Sequence, residues 1–301
     1  MLPVVDAHHH LWDLQQFPYR WLDAHAPPRP FGDHTPIKRD YLPSHYLSDM
    51  GALDLLGAVQ VEADSGSPDP CGEIRWLEAQ SATLGIPTAI VARADLTSPT
   101  IEAALDAMVE FPSVRGVRTN VVWHTEPRWR QARGPGIAST AAFARGMSAL
   151  AERGLSLDIL ISSQQLPDVD RLAETAPDTR IVLNHIGNPY FADSDAEGAW
   201  FAGIGSLARR PNVVMKFTGL WTLDMGWAEE ALSKPVRHVV DCFGAERCMW
   251  GSNYPVEKIM VPIATQIRTL SNILGSYPAR DRRSVFAETA QRVYRLADGG
   301  R

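Results

Sequence analysis

The sequence predicts an α/β fold, a (β/α)8 TIM barrel formed as a single domain over residues 1–301. Short runs rich in β-branched residues alternate with amphipathic stretches along the whole chain, which is typical of parallel strands joined by helices. Eight such units fit the length expected for a closed barrel. The alternative is an open doubly wound sheet, but no Gly-x-Gly-x-x-Gly motif follows the first strand, which weakens its dinucleotide-binding form.

The elements follow in order from this alternation, with right-handed crossovers between strands. The predicted strands are Val4–His8, Leu56–Glu62, Thr88–Arg93, Val114–Arg118, Ser156–Ile161, Arg180–His185, Val213–Phe217 and Cys248–Gly251. The predicted helices are Pro43–Met50, Glu73–Leu84, Ile101–Glu110, Ala141–Arg153, Gln165–Ala176, Gly198–Arg209, Lys234–Phe243, Val261–Leu274 and a terminal Ser284–Leu296.

Composition narrows the class of partner. The chain has 45% hydrophobic residues and a formal net charge of −6 without a basic block, which argues against a nucleic-acid surface and favours a small-molecule partner. Its 3 cysteines form no Cys-x-x-Cys pair, so neither a disulfide framework nor a zinc-thiolate site is indicated. With no apolar run long enough for a membrane span or leader, a cytoplasmic protein is expected, and a homo-oligomer is compatible with this.

The first strand carries the most informative pattern. Asp6, His8 and His10 occupy alternate positions and are expected on one face of a strand, with His9 on the other. A same-face His-x-His pair is costly in a core unless it holds a metal, a substrate or a hydrogen-bond network. A tag remnant and a pair of structural histidines are the alternatives.

Further polar residues lie where predicted strands end. These are Glu62, Arg118, His185 and Asn253, together with His8 and His10. Because the carboxyl ends of barrel strands form the active face, they are expected to line one pocket together with Asp6. Taken singly, each also fits a structural interpretation, such as a surface carboxylate, a rim ion pair or a core histidine. Two long loops, residues 17–41 and 120–139, are expected to shape the pocket, unless they are surface excursions.

Several motifs resemble one known family in order along the chain. They are Asp6-Ala7-His8-His9-His10-Leu11-Trp12-Asp13, Tyr19-Arg20-Trp21-Leu22, Val61-Glu62-Ala63, Gly116-Val117-Arg118, Asn184-His185-Ile186-Gly187-Asn188-Pro189, Met215-Lys216-Phe217-Thr218-Gly219-Leu220 and Arg247-Cys248-Met249-Trp250-Gly251-Ser252-Asn253-Tyr254-Pro255-Val256. The family is the amidohydrolase superfamily, amidohydrolase 2 type, in the branch of 2-pyrone-4,6-dicarboxylate lactonase and sugar-acid lactonases. The resemblance implies a distorted barrel that opens lactones, with His8, His10 and His185 near the substrate carbonyl and Arg118 on a carboxylate or hydroxyl.

Position 253 departs from the family pattern. Many hydrolytic members have Asp after strand 8, where it takes a proton from water, whereas this chain has Asn253, and an amide cannot serve as that base. Strand 4 has Gly-Val-Arg where a carboxylated lysine would bridge two metals, so a two-metal site is not expected. Either no metal is required or one zinc is held, with these ligands: His8, His10, His185 and Glu62.

Three functions fit these residues. The first is hydrolysis of a lactone of a sugar acid or aromatic-derived carboxylate, with Glu62 or a metal-activated water replacing the missing Asp. The second is lactone isomerisation through a substrate hydroxyl, and the third is a non-catalytic sugar-acid-binding barrel. The expected catalytic residues are His8, His10, Glu62, His185 and Asn253. The expected substrate-binding residues are Arg118, Trp12, Trp123 and His124.

Overall fold

Eight parallel strands hydrogen-bond in chain order in the computed structural model, which describes residues 2–51, 53–191, 193–222 and 228–296. The strands are β1 (Pro3–His9), β2 (Asp54–Val61), β3 (Ala89–Arg93), β4 (Val114–Asn120), β5 (Ser156–Leu160), β6 (Ile181–Leu183), β7 (Val213–Phe217) and β8 (Cys248–Trp250). At the carboxyl end, His10 N donates to Tyr254 O at 2.8 Å and Asn253 N donates to His8 O at 2.7 Å. These bonds join the first strand to the segment after the last, so the predicted barrel is confirmed.

Helices follow the strands in alternation. They are α1 (Pro43–Met50), α2 (Gly72–Leu84), α3 (Ile101–Val109), α4 (Ala141–Glu152), α5 (Leu166–Thr175), α6 (Ser194–Leu207), α7 (Glu229–Phe243), α8 (Ile263–Ile273), α9 (Ala279–Arg283) and α10 (Thr289–Tyr294). The predicted terminal helix, Ser284–Leu296, begins as a π-helical turn, Ser284–Glu288, and continues as α10, while α9 precedes it. Within the described ranges, no helix is long and apolar enough to cross a bilayer.

Strand β1 is irregular, and this moves one predicted site residue. Its pairing with β2 shifts register between Asp6 and His9. The Asp6 carboxylate is fully buried and accepts hydrogen bonds from Ser252 N at 2.8 Å and Tyr46 OH at 2.9 Å. The expectation that Asp6 lines the pocket is therefore wrong. This residue instead ties β1 to α1 and to the segment that follows β8.

Strand β6 ends earlier than predicted. His185 and Ile186 have φ values of 53° and 44°, which lie in the left-handed region that interrupts a strand. The chain therefore turns directly after Leu183 and carries His185 over the end of the barrel.

Candidate active site

A cavity of about 480 Å³ opens at the carboxyl ends of the strands. Five of the predicted residues border it, namely His10, Glu62, Arg118, His185 and Asn253. They come from the ends of β1, β2, β4, β6 and β8, and their convergence is what a barrel imposes on residues far apart in sequence.

Three imidazoles form a cluster at this cavity. The ring centroid of His8 lies 5.0 Å from that of His10 and 5.1 Å from that of His185. His8 is fully buried, and neither ring nitrogen has a hydrogen-bond partner among the described residues. Burial and the nearby Lys216 charge lower the pKa of His8 well below its ordinary value. His8 is therefore neutral and does not border the cavity, so the expectation that it lines the pocket is wrong. It packs beneath the two rings that do border the cavity, His10 and His185.

The hydrogen bonds of His10 fix its tautomer. Nδ1 lies 2.8 Å from Val61 O, and since a carbonyl oxygen only accepts, Nδ1 carries the proton. Burial lowers the pKa of His10 to about 4, so Nε2 offers a lone pair at neutral pH. This nitrogen lies 3.3 Å from the side-chain amide oxygen position of Asn253. Once Nε2 takes up a proton it can donate to this oxygen, so Asn253 favours the protonated ring and raises the pKa of His10 against the larger effect of burial.

Arg118 and Glu62 form a nearly buried ion pair. Arg118 Nε donates to Glu62 Oε1 at 2.6 Å, and Nη2 donates to the Glu62 carbonyl. The other carboxylate oxygen accepts from Asp64 N at 2.8 Å. Although burial opposes ionisation, Arg118 and the Asp64 amide prevail and lower the pKa of Glu62. Glu62 is therefore a weak base, which limits its expected role in activating water. The charge of Arg118 is already paired with Glu62, which limits its expected role in binding an anionic group of the substrate.

His185 owes its position to a glycine. A Cβ atom on Gly219, which has a φ of +67°, would lie 2.3 Å from His185 Nδ1, far closer than van der Waals contact allows. Burial and the Arg118 charge lower the pKa of His185 to about 3. The ring is therefore a neutral, tightly enclosed group on the cavity wall.

The aromatic residues expected to bind substrate lie elsewhere. Trp12 is fully buried and donates through Nε1 to Arg39 O at 2.7 Å, so the expectation that it contacts substrate is wrong and it packs the loop instead. Trp123 does not border either described cavity, and its ring lies 4.5 Å from the Arg130 guanidinium carbon. His124 borders a smaller adjoining cavity of about 100 Å³.

Trp21 and Arg29 also border the main cavity, and the sequence did not single them out for the site. Trp21 Nε1 donates to Ala63 O at 2.7 Å, which fixes the indole against the end of β2. The sequence signal for Trp21 is its position in the Tyr19–Leu22 motif. Arg29 had none, because it lies in a loop whose path depends on tertiary contacts.

A buried charge network lies deeper in the barrel. Lys216 Nζ lies 2.6 Å from Asp158 Oδ1, and both side chains are fully buried. Tyr294 OH, from α10, donates to the same carboxylate at 3.0 Å. This network was also missed, although a lysine within the apolar run Val213–Phe217 was a signal.

The described residues do not fit a metal centre as they stand. His8, His10 and His185 lie close together, but no three His, Cys, Asp or Glu side chains within those ranges are arranged so that they could hold an ion. Glu62, the anionic ligand expected for zinc, is held by Arg118 at 2.6 Å. The positive charges of Arg118 and Lys216 also lower the pKa of His8 and would oppose a dication in the same way.

The barrel with its polar residues converging at the carboxyl ends has the arrangement of a (β/α)8 enzyme. Residues 5–296 match the model of the amidohydrolase family Amidohydro_2, to which this chain belongs. The chain is 31% identical to the uncharacterized protein y4mH of Sinorhizobium fredii, covering 98% of this chain and 99% of that protein. It is 26% identical to an L-fucono-1,5-lactonase of Burkholderia multivorans, covering 98% and 96%.

Solved structures show the same fold. A Burkholderia multivorans amidohydrolase with bound zinc superposes with a TM-score of 0.79 at 26% identity, covering 98% of this chain and 100% of that one. A putative 2-pyrone-4,6-dicarboxylic acid hydrolase of Pseudomonas putida gives a TM-score of 0.72 at 21% identity, covering 98% of each chain. The expected resemblance to the amidohydrolase family and to relatives named as lactonases is confirmed, and the chain is an enzyme of the amidohydrolase family.

Proposed function

We propose that this enzyme hydrolyses a lactone of a sugar acid at the cavity bordered by His10, Arg118 and His185. The observation that carries the proposal is the lone pair of His10 Nε2, fixed by the bond from Nδ1 to Val61, on the wall of a cavity that also holds a guanidinium. The relatives named L-fucono-1,5-lactonase support this substrate class.

The carbonyl oxygen of the lactone would be stabilised by Arg118. Two of its guanidinium nitrogens donate to Glu62, and Nη1 makes no hydrogen bond to a described residue. A fixed donor of this kind stabilises the negative charge that develops on the carbonyl oxygen. Glu62 positions that donor, so it acts through Arg118 and not as the water-activating base first expected.

Water would be activated by His10. The water oxygen adds to the carbonyl carbon while its proton moves to Nε2, and the ring C–O bond then breaks as the same proton passes to the leaving oxygen. The product hydroxy acid ionises and releases one proton to solvent. Because the pKa of His10 is about 4, it is a weak base, and its contribution depends on positioning the water beside the carbonyl. Asn253 accepts from the protonated Nε2, and His185, which packs against His8, borders the reacting group.

Lactone isomerisation is the second candidate, and one observation favours it. Position 253 is an amide beside Nε2 and cannot act as the water-activating base. Attack by a hydroxyl of the substrate itself depends less on a strong base, because the hydroxyl is already held beside the carbonyl. Net acid release separates the two reactions, because isomerisation releases none.

A pH-indicator screen over aldonolactones, aldarolactones and pyrone carboxylates tests the proposal. We expect acid release from at least one sugar-acid lactone, and His10→Asn to lower turnover by about 10²–10⁴. Glu62→Gln tests the expectation that Glu62 activates water, and it should lower turnover less than His10→Asn does. Running each assay with a chelator tests whether a divalent metal is required, and loss of activity that zinc restores would overturn a reaction carried by these side chains alone.

A further inference from the structure

The charges that border the main cavity do not balance. Among described residues it is bordered by four arginines, Arg29, Arg93, Arg118 and Arg133, and by three carboxylates, Glu62, Asp64 and Asp95. The bordering histidines carry pKa values lowered to about 4 and about 3, so they add no charge at neutral pH. The cavity therefore has one positive charge in excess, although the whole chain has a net charge of −6.

Ion pairs match three of the four arginines with the three carboxylates. Arg118 lies 2.6 Å from Glu62, Arg93 lies 2.6 Å from Asp64 and Arg133 lies 3.3 Å from Asp95. Within the described ranges no carboxylate lies at ion-pair distance from Arg29. The excess charge is therefore located on Arg29.

The surroundings hold Arg29 in place without neutralising it. Its guanidinium carbon lies 5.7 Å from the ring centroid of Trp21, and that indole is fixed to Ala63 O. The backbone is held by paired hydrogen bonds with Gly32, at 3.1 Å and 2.8 Å. The side chain of Arg29 is half-buried. Burial lowers its pKa from the ordinary value, and the charge of Asp64, which is already paired with Arg93, partly opposes this effect.

Arg29 borders both the main cavity and the smaller adjoining one. A charged group on a ligand in the main cavity could meet it there. A partly dehydrated guanidinium on a fixed support gains most from a carboxylate, because its planar fork donates two parallel hydrogen bonds.

We propose that Arg29 forms a carboxylate-binding subsite, so that the substrate is a lactone bearing a second, ionised carboxyl group away from the reacting ester. This rests on the proposed lactone hydrolysis and deepens it, since it names the substrate class. It also transfers the anion-binding role expected for Arg118 to a residue in the loop after β1.

Two lactones that differ only at one end test the subsite. Galactaro-1,4-lactone carries a carboxylate where galactono-1,4-lactone carries a hydroxymethyl group. We expect Arg29→Gln to raise KM for the carboxylated lactone about 10- to 100-fold, the effect of losing one charge-assisted interaction, and to change KM for the neutral lactone less than about 2-fold. Arg29→Lys, which keeps the charge without the fork, should recover part of the loss.

Arg133→Gln is the matched control, because it removes the same unit charge from the same cavity but from a paired, exposed side chain. It should change KM for either lactone less than about 3-fold, as expected for exposed pairs. An equal effect of Arg29→Gln on both lactones, or no effect on the carboxylated one, would overturn the proposal.

Calorimetric binding of both lactones keeps the test independent of turnover. If the enzyme opens neither, the proposed hydrolysis fails, yet about 10-fold tighter binding of the carboxylated lactone, lost in Arg29→Gln, would still support the subsite. Equal binding of the two lactones to the unmodified enzyme would reject the subsite, even if Arg29→Gln were to misfold.

Discussion

Replacing Arg118 while keeping Glu62 should cost the folded protein more stability at pH 7 than at pH 5. In the intact pair Arg118 lowers the pKa of Glu62 below its ordinary value of 4.5. A carboxyl group whose pKa is lowered on folding stabilises the folded state at pH values above its pKa in the unfolded chain. This contribution is lost as the pH falls through its pKa in the folded protein. Arg118→Met leaves the carboxylate buried without its ion-pair partner, so its pKa should rise above 4.5.

The size of the effect follows from the burial of the pair. The side chains of Arg118 and Glu62 are only 11% and 6% exposed, so solvent screening is weak. If Glu62 must protonate to stay buried, the loss is about 1.4 kcal/mol for each pH unit above 4.5. The variant should therefore lose about 3 kcal/mol at pH 7 and less than about 1 kcal/mol at pH 5, in line with the cost of breaking buried pairs.

Urea unfolding of the unmodified enzyme and three variants at pH 5 and pH 7 measures this. The variants are Arg118→Met, Glu62→Gln and the two changes combined, and the combined variant should recover stability relative to Arg118→Met at pH 7. A loss below about 1 kcal/mol at pH 7, or one that does not change with pH, would refute the reasoning that the pair is buried and coupled.

Three further outcomes are expected. Gly219→Ala should lower kcat about 10²-fold, because a Cβ there would lie 2.3 Å from His185 Nδ1 and displace the ring; steady-state kinetics measure it, and unchanged kcat would contradict it. Lys216→Met should lower the free energy of unfolding by about 3–5 kcal/mol, because it removes the cation that is paired with the buried Asp158. Urea unfolding measures this, and a loss below about 1 kcal/mol would contradict it. Because the pKa of His10 falls from 6.5 to about 4 on folding, the unfolded chain binds more protons between these values, so stability should fall as the pH drops from 6.5 to 4; thermal melts check this, and rising stability would contradict it.

The barrel and the cavity residues at strand ends could be predicted because each rests on local sequence. Apolar runs mark strands, and closure of the barrel then brings His10, Glu62, Arg118, His185 and Asn253 to one mouth. Boundaries were less accurate where the chain leaves regular geometry. The sequence predicts that strand β6 extends to His185, because the amino-acid pattern does not show the positive φ of that residue.

The site predictions that were wrong or incomplete concern contacts between residues that are distant in sequence. Asp6 shares the alternation of His8 and His10, but the register shift in β1 and the donors of Ser252 and Tyr46 hold it away from the cavity. Trp12 looked suited to a ligand, yet its indole satisfies Arg39 O within the loop. Lys216 stands out within an apolar run, but its partner Asp158 lies 58 residues away in sequence, and no local pattern identifies that partner.

The most direct test of the central claim is the number of protons released for each lactone consumed. We would follow galactaro-1,4-lactone by pH-stat and by chromatography in parallel, with the unmodified enzyme and with His10→Asn. Hydrolysis at this site predicts one proton for each lactone consumed, and loss of both signals in His10→Asn. Consumption of lactone without proton release would contradict hydrolysis and establish isomerisation, and full activity of His10→Asn would contradict the role assigned to His10.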